Sequence, residues 1–246
     1  MFAIIGGSGL AKLSALESPR RRVTRTPYGE PSGALTFGRL AGSEVVFLAR
    51  HGYGHTIAPH EINYRANIWA LKELHVEGIF ALASAGGIRD DLDPGTLVVP
   101  DQIIDYTHSR KSTFFEGFGT PVTHVDFTQP YSGQLRSRLL KAARDIDETV
   151  VDGAVYACTQ GPRLETAGEI DRLARDGADL VGMTGMPEAV LARELELEYA
   201  CLAVVVNHAA GRGTSRQRIA LGELDEVLGE TMVRAVRILE ASVRSP

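Results

Sequence analysis

Residues 182–211 (GMTGMPEAVLARELELEYACLAVVVNHAAG) constrain the fold more than any other part of the chain. An apolar run, Ala178-Asp179-Leu180-Val181, ends at Gly182 and opens into Met183-Thr184-Gly185-Met186. Pro187 then falls where the first turn of a helix tolerates it, because its missing N–H would be unpaired there anyway. Glu188 follows at the positive end of that helix, and apolar residues recur at Val190, Leu191, Leu195 and Leu197. Residues 199–206 are nearly all apolar, as a strand buried on both faces should be, and stop abruptly at Asn207-His208-Ala209-Ala210-Gly211. The pattern predicts two parallel strands joined by a helix, finishing in Thr184 and Asn207 at one edge of a sheet. Ligands of open α/β sheets bind beyond the carboxyl ends of strands, so that edge is expected to carry a site.

Other strands end in the same manner. Residues 2–5 form a short buried strand running into Gly6-Gly7-Ser8-Gly9, a turn able to present backbone N–H groups to an anion. Leu10-Ala11-Lys12 follow, so the third glycine of a dinucleotide fingerprint is missing, as is the Gly-Lys-Ser/Thr of a P-loop. What remains is a phosphate-sized loop carrying Ser8, or a plain turn. Residues 34–40 and 44–50 read as a hairpin over Ala41-Gly42-Ser43, and its second strand ends in Arg50-His51-Gly52. A cation pair at a strand end suits anion binding, with Arg50 supplying a planar fork of donors. His55 and His60 lie downstream, but glycines and Pro59 separate the three histidines and no carboxylate or cysteine completes a tetrahedral set, which argues against zinc.

Residues 61–74 read as a helix with Ile62, Ala66, Trp69, Ala70 and Leu74 on one face. Asn63, Tyr64 and Arg65 near its start either face a ligand or form a polar beginning. Residues 78–83 form a buried strand leading to a second glycine loop, Ser84-Ala85-Gly86-Gly87, and residues 97–100 a shorter strand. Residues 104–131 are polar and glycine-rich without periodicity, the character of a functional or interfacial loop; His124 lies in it, structural by default. Helix 135–143 precedes one long strand, 150–158, which ends in Thr159-Gln160-Gly161-Pro162-Arg163-Leu164-Glu165-Thr166. Glu165 there is either a ligand group or a first-turn acid favoured by the helix dipole. From Leu224 an amphipathic helix closes the fold, through Leu228, Met232, Val236 and Leu239.

These elements predict one α/β domain over residues 1–246, a mixed β-sheet flanked by helices. A net charge of −5 argues against nucleic-acid or membrane-surface binding, and Arg20-Arg21-Arg22 with Arg25 reads as a solvated loop. Cys158 and Cys201 lie in apolar runs and read as buried free thiols of a reducing compartment. With no basic, apolar leader visible, a cytoplasmic protein is expected.

Together, Gly6-Gly7-Ser8-Gly9-Leu10, Arg50-His51-Gly52, Asn63-Tyr64-Arg65-Ala66-Asn67, Gly161-Pro162-Arg163 and Met183-Thr184-Gly185-Met186-Pro187-Glu188 resemble the trimeric purine nucleoside phosphorylase / methylthioadenosine phosphorylase family. The likeness runs in order along nearly the whole chain. Through Tyr156-Ala157-Cys158-Thr159-Gln160-Gly161 and the Asn207 stretch it is nearest the bacterial branch that cleaves S-methyl-5′-thioinosine. The resemblance implies phosphate binding by Ser8, Arg50, His51, Thr184 and a backbone amide near Ser84. It implies that Met183 lies against the nucleoside, that Asn207, His208 and Ala209 border the base, and that His124 reaches the neighbouring subunit's site in a homotrimer. Ala83 stands where relatives often carry Asn or Thr, so any side-chain contact from there is lost.

The implied chemistry is phosphorolysis of an N-glycosidic bond, with inorganic phosphate as co-substrate and no metal or organic cofactor. Asn207, Glu165 and His51 are the expected catalytic groups. A 6-oxopurine bears a proton on N1 and acceptors at O6 and N7, which match the Glu165 carboxylate and the Asn207 amide. Adenine-preferring relatives carry Asp at the positions of Asn207 and Ala209, so hypoxanthine or guanine is the expected base. Inosine-cleaving relatives place a His near the position of Leu221, where this chain would offer an apolar wall to a methylthio group. Alternatives are a general inosine/guanosine phosphorylase, a methylthioadenosine phosphorylase, or a non-catalytic nucleoside-binding protein.

Overall fold

A computed structural model describes residues 1–244. In chain order, β1 (Phe2–Gly6) is followed by β2 (Glu17–Arg22), β3 (Leu35–Leu40), β4 (Ser43–Ala49) and α1 (Tyr64–Glu73). β5 (Ile79–Gly87), β6 (Leu97–Val99) and β7 (Gln102–Asp105) precede α2 (Gly133–Asp145). β8 (Val151–Asp152) and β9 (Val155–Cys158) lead to α3 (Ala167–Arg175). β10 (Leu180–Gly182), α4 (Gly185–Glu194), β11 (Tyr199–His208) and α5 (Leu221–Val243) follow. Among the described residues no helix is long and apolar enough to cross a membrane.

Among the described residues the strands form one mixed eleven-stranded sheet organised around β5. β11 pairs with β5 in parallel along its whole length, from Ile79 to Gly87, and so occupies one edge completely. The other edge is shared: β1 pairs in parallel with residues 79–81, and β10 pairs antiparallel with Gly86 and Gly87. β10 and β11 are therefore not the parallel neighbours that the strand–helix–strand pattern predicts; they run in opposite senses on opposite edges of β5. Helices cover both faces. α1 and α4 pack with one buried cluster, through Ile68, Leu71, Ala189 and Leu191. α2 and α5 pack with the other, through Leu135, Leu139, Ile238 and Leu239.

Several local expectations change for identifiable reasons. The Ser84-Ala85-Gly86-Gly87 segment is not a loop but the end of β5. A Cβ on Gly87 would stand 2.2 Å from the Leu92 carbonyl oxygen, so this glycine serves a close backbone approach within a strand. The strand expected over 150–158 breaks at Gly153, whose φ of +88° lets β8 pair with β6 while β9 joins β10 and β7. Pro187 does not sit in a regular first turn: the Met186–Pro187 peptide is cis, and both residues depart from helical dihedrals. The inward face of α1 carries Tyr64, Ala66, Asn67, Ile68, Ala70 and Leu71, leaving Trp69 only partly buried, and Asn63 is the helix cap, accepting from Ala66 N–H at 3.1 Å. Arg20, Arg21 and Arg22 belong to an exposed edge strand, where charge discourages pairing with another chain.

Candidate active site

The ends of β1, β4, β5, β10 and β11, with the loop after β9, converge on a cavity of about 220 Å³, the scale of a small molecule rather than a polymer. Ser8, Arg50, His51, Ser84, Glu165, Met183, Thr184, Asn207 and Ala209 all line it. Residues from eight to over two hundred thus meet in one place, which was the requirement for a shared anion and base site.

At the anion end, the turn after β1 closes through a Leu10 N–H bond to the Gly7 carbonyl at 3.0 Å, and Gly9 takes the left-handed φ of +77° that favours glycine. A Cβ on Gly7 would lie 2.9 Å from Arg50 Nη1 and 2.8 Å from the Leu82 carbonyl oxygen, so only glycine leaves Arg50 its place. Arg50 is almost wholly buried, 1% exposed. Its Nε and Nη2 donate to Glu188 Oε2 and Oε1, both at 2.7 Å, and Nη1 donates to the Leu82 carbonyl at 2.8 Å. Burial alone would pull the guanidinium down from its ordinary range, but the charge and hydrogen bonds of Glu188 outweigh it and hold Arg50 firmly protonated. The Nε and Nη2 side of the fork therefore grips Glu188 rather than facing the cavity's anion end. Five N–H groups less these three leave two, one on each terminal nitrogen.

His51 is not the second cation of a pair. Its Nδ1 lies 2.8 Å from the Ile57 carbonyl oxygen, which can only accept, so Nδ1 carries the proton and Nε2 of the neutral ring is bare. Burial, and then the neighbouring Arg50 charge, push its pKa down to about 4. His51 and His55 rings stand 4.6 Å apart, and among the described residues no group of three or more His, Cys, Asp or Glu is placed to hold a metal ion. Thr184 occupies the N-cap position of α4 yet makes no side-chain cap bond, which leaves its hydroxyl to the cavity.

At the other end, Glu165 precedes α3 rather than opening it. Thr166 is the N-cap and Glu169 the first-turn acid of a capping box, so the helix does not claim Glu165. Thr159 Oγ1 donates to Glu165 Oε1 at 2.6 Å instead. Asn207 Nδ2 donates one N–H to the His208 carbonyl at 2.6 Å and keeps a second. The β11 register slips between Val205 and Asn207, a bulge of the kind that re-aims side chains beside sites.

Two expected contacts lie elsewhere. His208 does not border the cavity: Nδ1 meets Thr214 Oγ1 and Nε2 meets Asp93 Oδ1, each at 3.0 Å, because alternation along β11 turns it away as Asn207 turns in. Leu221 is 63% exposed at the first residue of α5; the apolar wall comes from Ile219 and Leu224. His124 is exposed within the irregular segment after β7 and does not line this chain's own cavity.

The roles of two groups escaped sequence reading. One is Glu188, 138 residues from its partner Arg50. The other is Arg110, whose Nη1 donates to the Met183 and Met186 carbonyls at 2.8 and 2.6 Å and whose Nη2 donates to those of Thr159 and Gln160 at 3.2 and 2.8 Å. It ties together the loops that present Thr184 and Glu165. No local pattern distinguishes a single Arg in an irregular segment from a solvated one.

Residues 1–244 match the phosphorylase superfamily. The chain is 52% identical to a probable S-methyl-5′-thioinosine phosphorylase of Pseudomonas syringae, covering 98% of this chain and 99% of that protein. It is 46% identical to a 6-oxopurine nucleoside phosphorylase of Pyrococcus furiosus, over 98% and 91% of the two. Methylthioadenosine phosphorylase from Schistosoma mansoni in complex with adenine superposes with a TM-score of 0.93 at 32% identity, covering 98% of this chain and 90% of that one. The chain belongs to the phosphorylase superfamily. Within it, the resemblance to the purine nucleoside phosphorylase / methylthioadenosine phosphorylase family is borne out over nearly the whole length.

Proposed function

We propose that the protein cleaves a 6-oxopurine nucleoside with inorganic phosphate, its preferred substrate being S-methyl-5′-thioinosine and its products hypoxanthine and 5-methylthioribose 1-phosphate. The observation that carries this reading is the presence of the Asn207 amide and the Glu165 carboxylate in the same cavity as Ser8, Arg50 and Thr184. A phosphate oxygen forms the new bond to C1′ as the C1′–N9 bond breaks; the electron pair leaves with the purine, which ends as hypoxanthine by taking up the proton that hydrogen phosphate gives up. Positioned donors lower the barrier most where charge develops, here on the departing base and around the phosphate. The two free N–H groups of Arg50 with the Ser8 and Thr184 hydroxyls suit the phosphate. Bare Nε2 of a neutral His51 suits the O–H of hydrogen phosphate. Asn207 donates to N7 or O6 of the base, and Glu165 accepts from N1–H.

The base preference follows from that pairing. Adenine N1 is an acceptor and would face the Glu165 carboxylate with no proton between them, at a cost of about 1–3 kcal/mol. Ile219 and Leu224 supply the apolar wall that favours a methylthio over a hydroxyl group at the 5′ position. The reaction as proposed uses no metal or organic cofactor and takes place in the cytoplasm, as part of purine and methylthio salvage. The functional unit is proposed to be a homotrimer in which His124 serves a neighbour. His124 is exposed outside its own cavity, in the same irregular segment of the chain as the exposed apolar residues Phe118 and Val122. A general inosine/guanosine phosphorylase is the second reading, favoured by the likeness to the Pyrococcus furiosus protein.

The test is phosphate-dependent base release from methylthioinosine, inosine, guanosine and methylthioadenosine side by side. Hypoxanthine release from methylthioinosine should dominate. Adenine release at an equal or higher rate would overturn the roles of Asn207 and Glu165, and inosine as the best substrate would establish the second reading.

A further inference from the structure

Arg50 cannot hold a phosphate unless something holds Arg50. Its side chain has several rotatable bonds, and only two of its N–H groups remain for a ligand. Glu188, fully buried on α4, takes the Nε and Nη2 side of the guanidinium in two parallel 2.7 Å bonds. The Tyr199 hydroxyl, from the first residue of β11, donates to Glu188 Oε1 at 2.8 Å and so fixes the carboxylate in turn. On the far side the Leu82 carbonyl of β5 accepts from Nη1. The guanidinium plane is thus located from three elements of the fold before any ligand arrives.

We propose that Glu188, locked by Tyr199, is the positioning residue for phosphate: it orients Arg50 so that one N–H on each terminal nitrogen faces the anion as a preformed pair. The inference rests on the phosphorolysis reading above. Paired planar donors recognise an oxyanion by geometry as well as charge, so a rotation of the guanidinium loses affinity even where the charge stays. Glu188 also cancels the charge of Arg50, and with His51 neutral the cradle binds by directed hydrogen bonds more than by net positive field. Because Glu188 acts through Arg50 and Thr184 stands at the head of the same helix, the effect falls on phosphate and not on the nucleoside.

Two variants separate position from charge. Glu188→Asp keeps the carboxylate but shortens its reach by a methylene, so the paired bonds form only if Arg50 moves. Tyr199→Phe keeps the pair and removes its lock. The measurement is the KM for phosphate and for the nucleoside, each with the other saturating. Glu188→Asp should raise the phosphate KM about tenfold or more and Tyr199→Phe about threefold, with the nucleoside KM within about twofold of the parent. A parallel rise in both KM values, or an unchanged phosphate KM in Glu188→Asp, would mean a merely structural or purely charge-balancing role and overturns the proposal. Should Glu188→Asp fail to fold, Tyr199→Phe decides alone, and an unchanged phosphate KM there overturns it equally. Absence of phosphorolysis by the parent protein defeats the functional reading instead, which keeps the two failures distinct.

Discussion

Thr159 and Glu165 are joined across the start of the β9–α3 loop by a 2.6 Å bond from the Thr159 hydroxyl to Glu165 Oε1. One carboxylate oxygen is thereby occupied and the other is left for a ligand, which fixes the direction from which Glu165 can meet a base. Removing the hydroxyl in Thr159→Ala frees the carboxylate to rotate. A hydrogen bond to a charged group contributes about 1.5 kcal/mol, so the nucleoside KM should rise roughly tenfold while the phosphate KM stays unchanged. Initial rates with each substrate varied in turn check this.

Asn207→Asp exchanges an amide that donates for a carboxylate that only accepts. The 6-amino group of adenine can then donate to residue 207, whereas O6 of hypoxanthine faces a second acceptor. The ratio of kcat/KM for methylthioinosine over methylthioadenosine should fall at least about tenfold. An unaltered ratio removes Asn207 from base selection.

His51 links stability to pH. The ring titrates near 6.5 in the unfolded chain and near 4 when folded, so between those values the unfolded state binds more protons. Its contribution is complete above about pH 6.5 and is lost as pH falls toward 4, by at most about 3 kcal/mol. Urea unfolding at pH 4.5 and pH 7 should show a smaller difference in His51→Gln than in the parent. Equal differences would place the acid sensitivity in other groups.

Arg110 draws four carbonyl groups, two from the segment after β9 and two from the segment that runs from β10 into α4, onto one guanidinium. Arg110→Met strands those partly buried carbonyls, and a loss of about 2–4 kcal/mol is expected, or roughly 5–15 °C in Tm for a chain of this size. Arg110→Lys restores the charge but not the span, so it should recover only part of the loss. Because the loops carry Thr184 and Glu165, both substrate KM values should rise together, unlike the phosphate-selective effect expected at Glu188.

What could be read from the residues was whatever strand ends declare locally. Ser8, Arg50, Thr184 and Asn207 each follow an apolar run, and a polar group there has few roles besides meeting a ligand or a cap. Relations between distant segments left no such trace. The Arg50–Glu188 pair joins residues 138 apart, and Glu188 alone looks like an ordinary acid at a helix start. A bulge at Val206 decides which of Asn207 and His208 turns inward, and a run of apolar residues does not announce a bulge. Leu221 and Leu224 are both apolar at the start of α5, and only the helix phase reveals that the second one reaches the cavity. The opposed senses of β10 and β11 depend on β5 being long enough to serve two partners on one edge, which no motif encodes.

Ile219 and Leu224 enter the cavity from the approach to α5 and its first turn, whereas the polar side chains that line it hang from the sheet or from loops that follow its strands. Under the proposed reaction, the tail of the sugar is judged by one part of the molecule and the glycosidic bond is broken by another. Enlarging or trimming that partition would then change which 5′ group is accepted and leave the groups around the scissile bond in place.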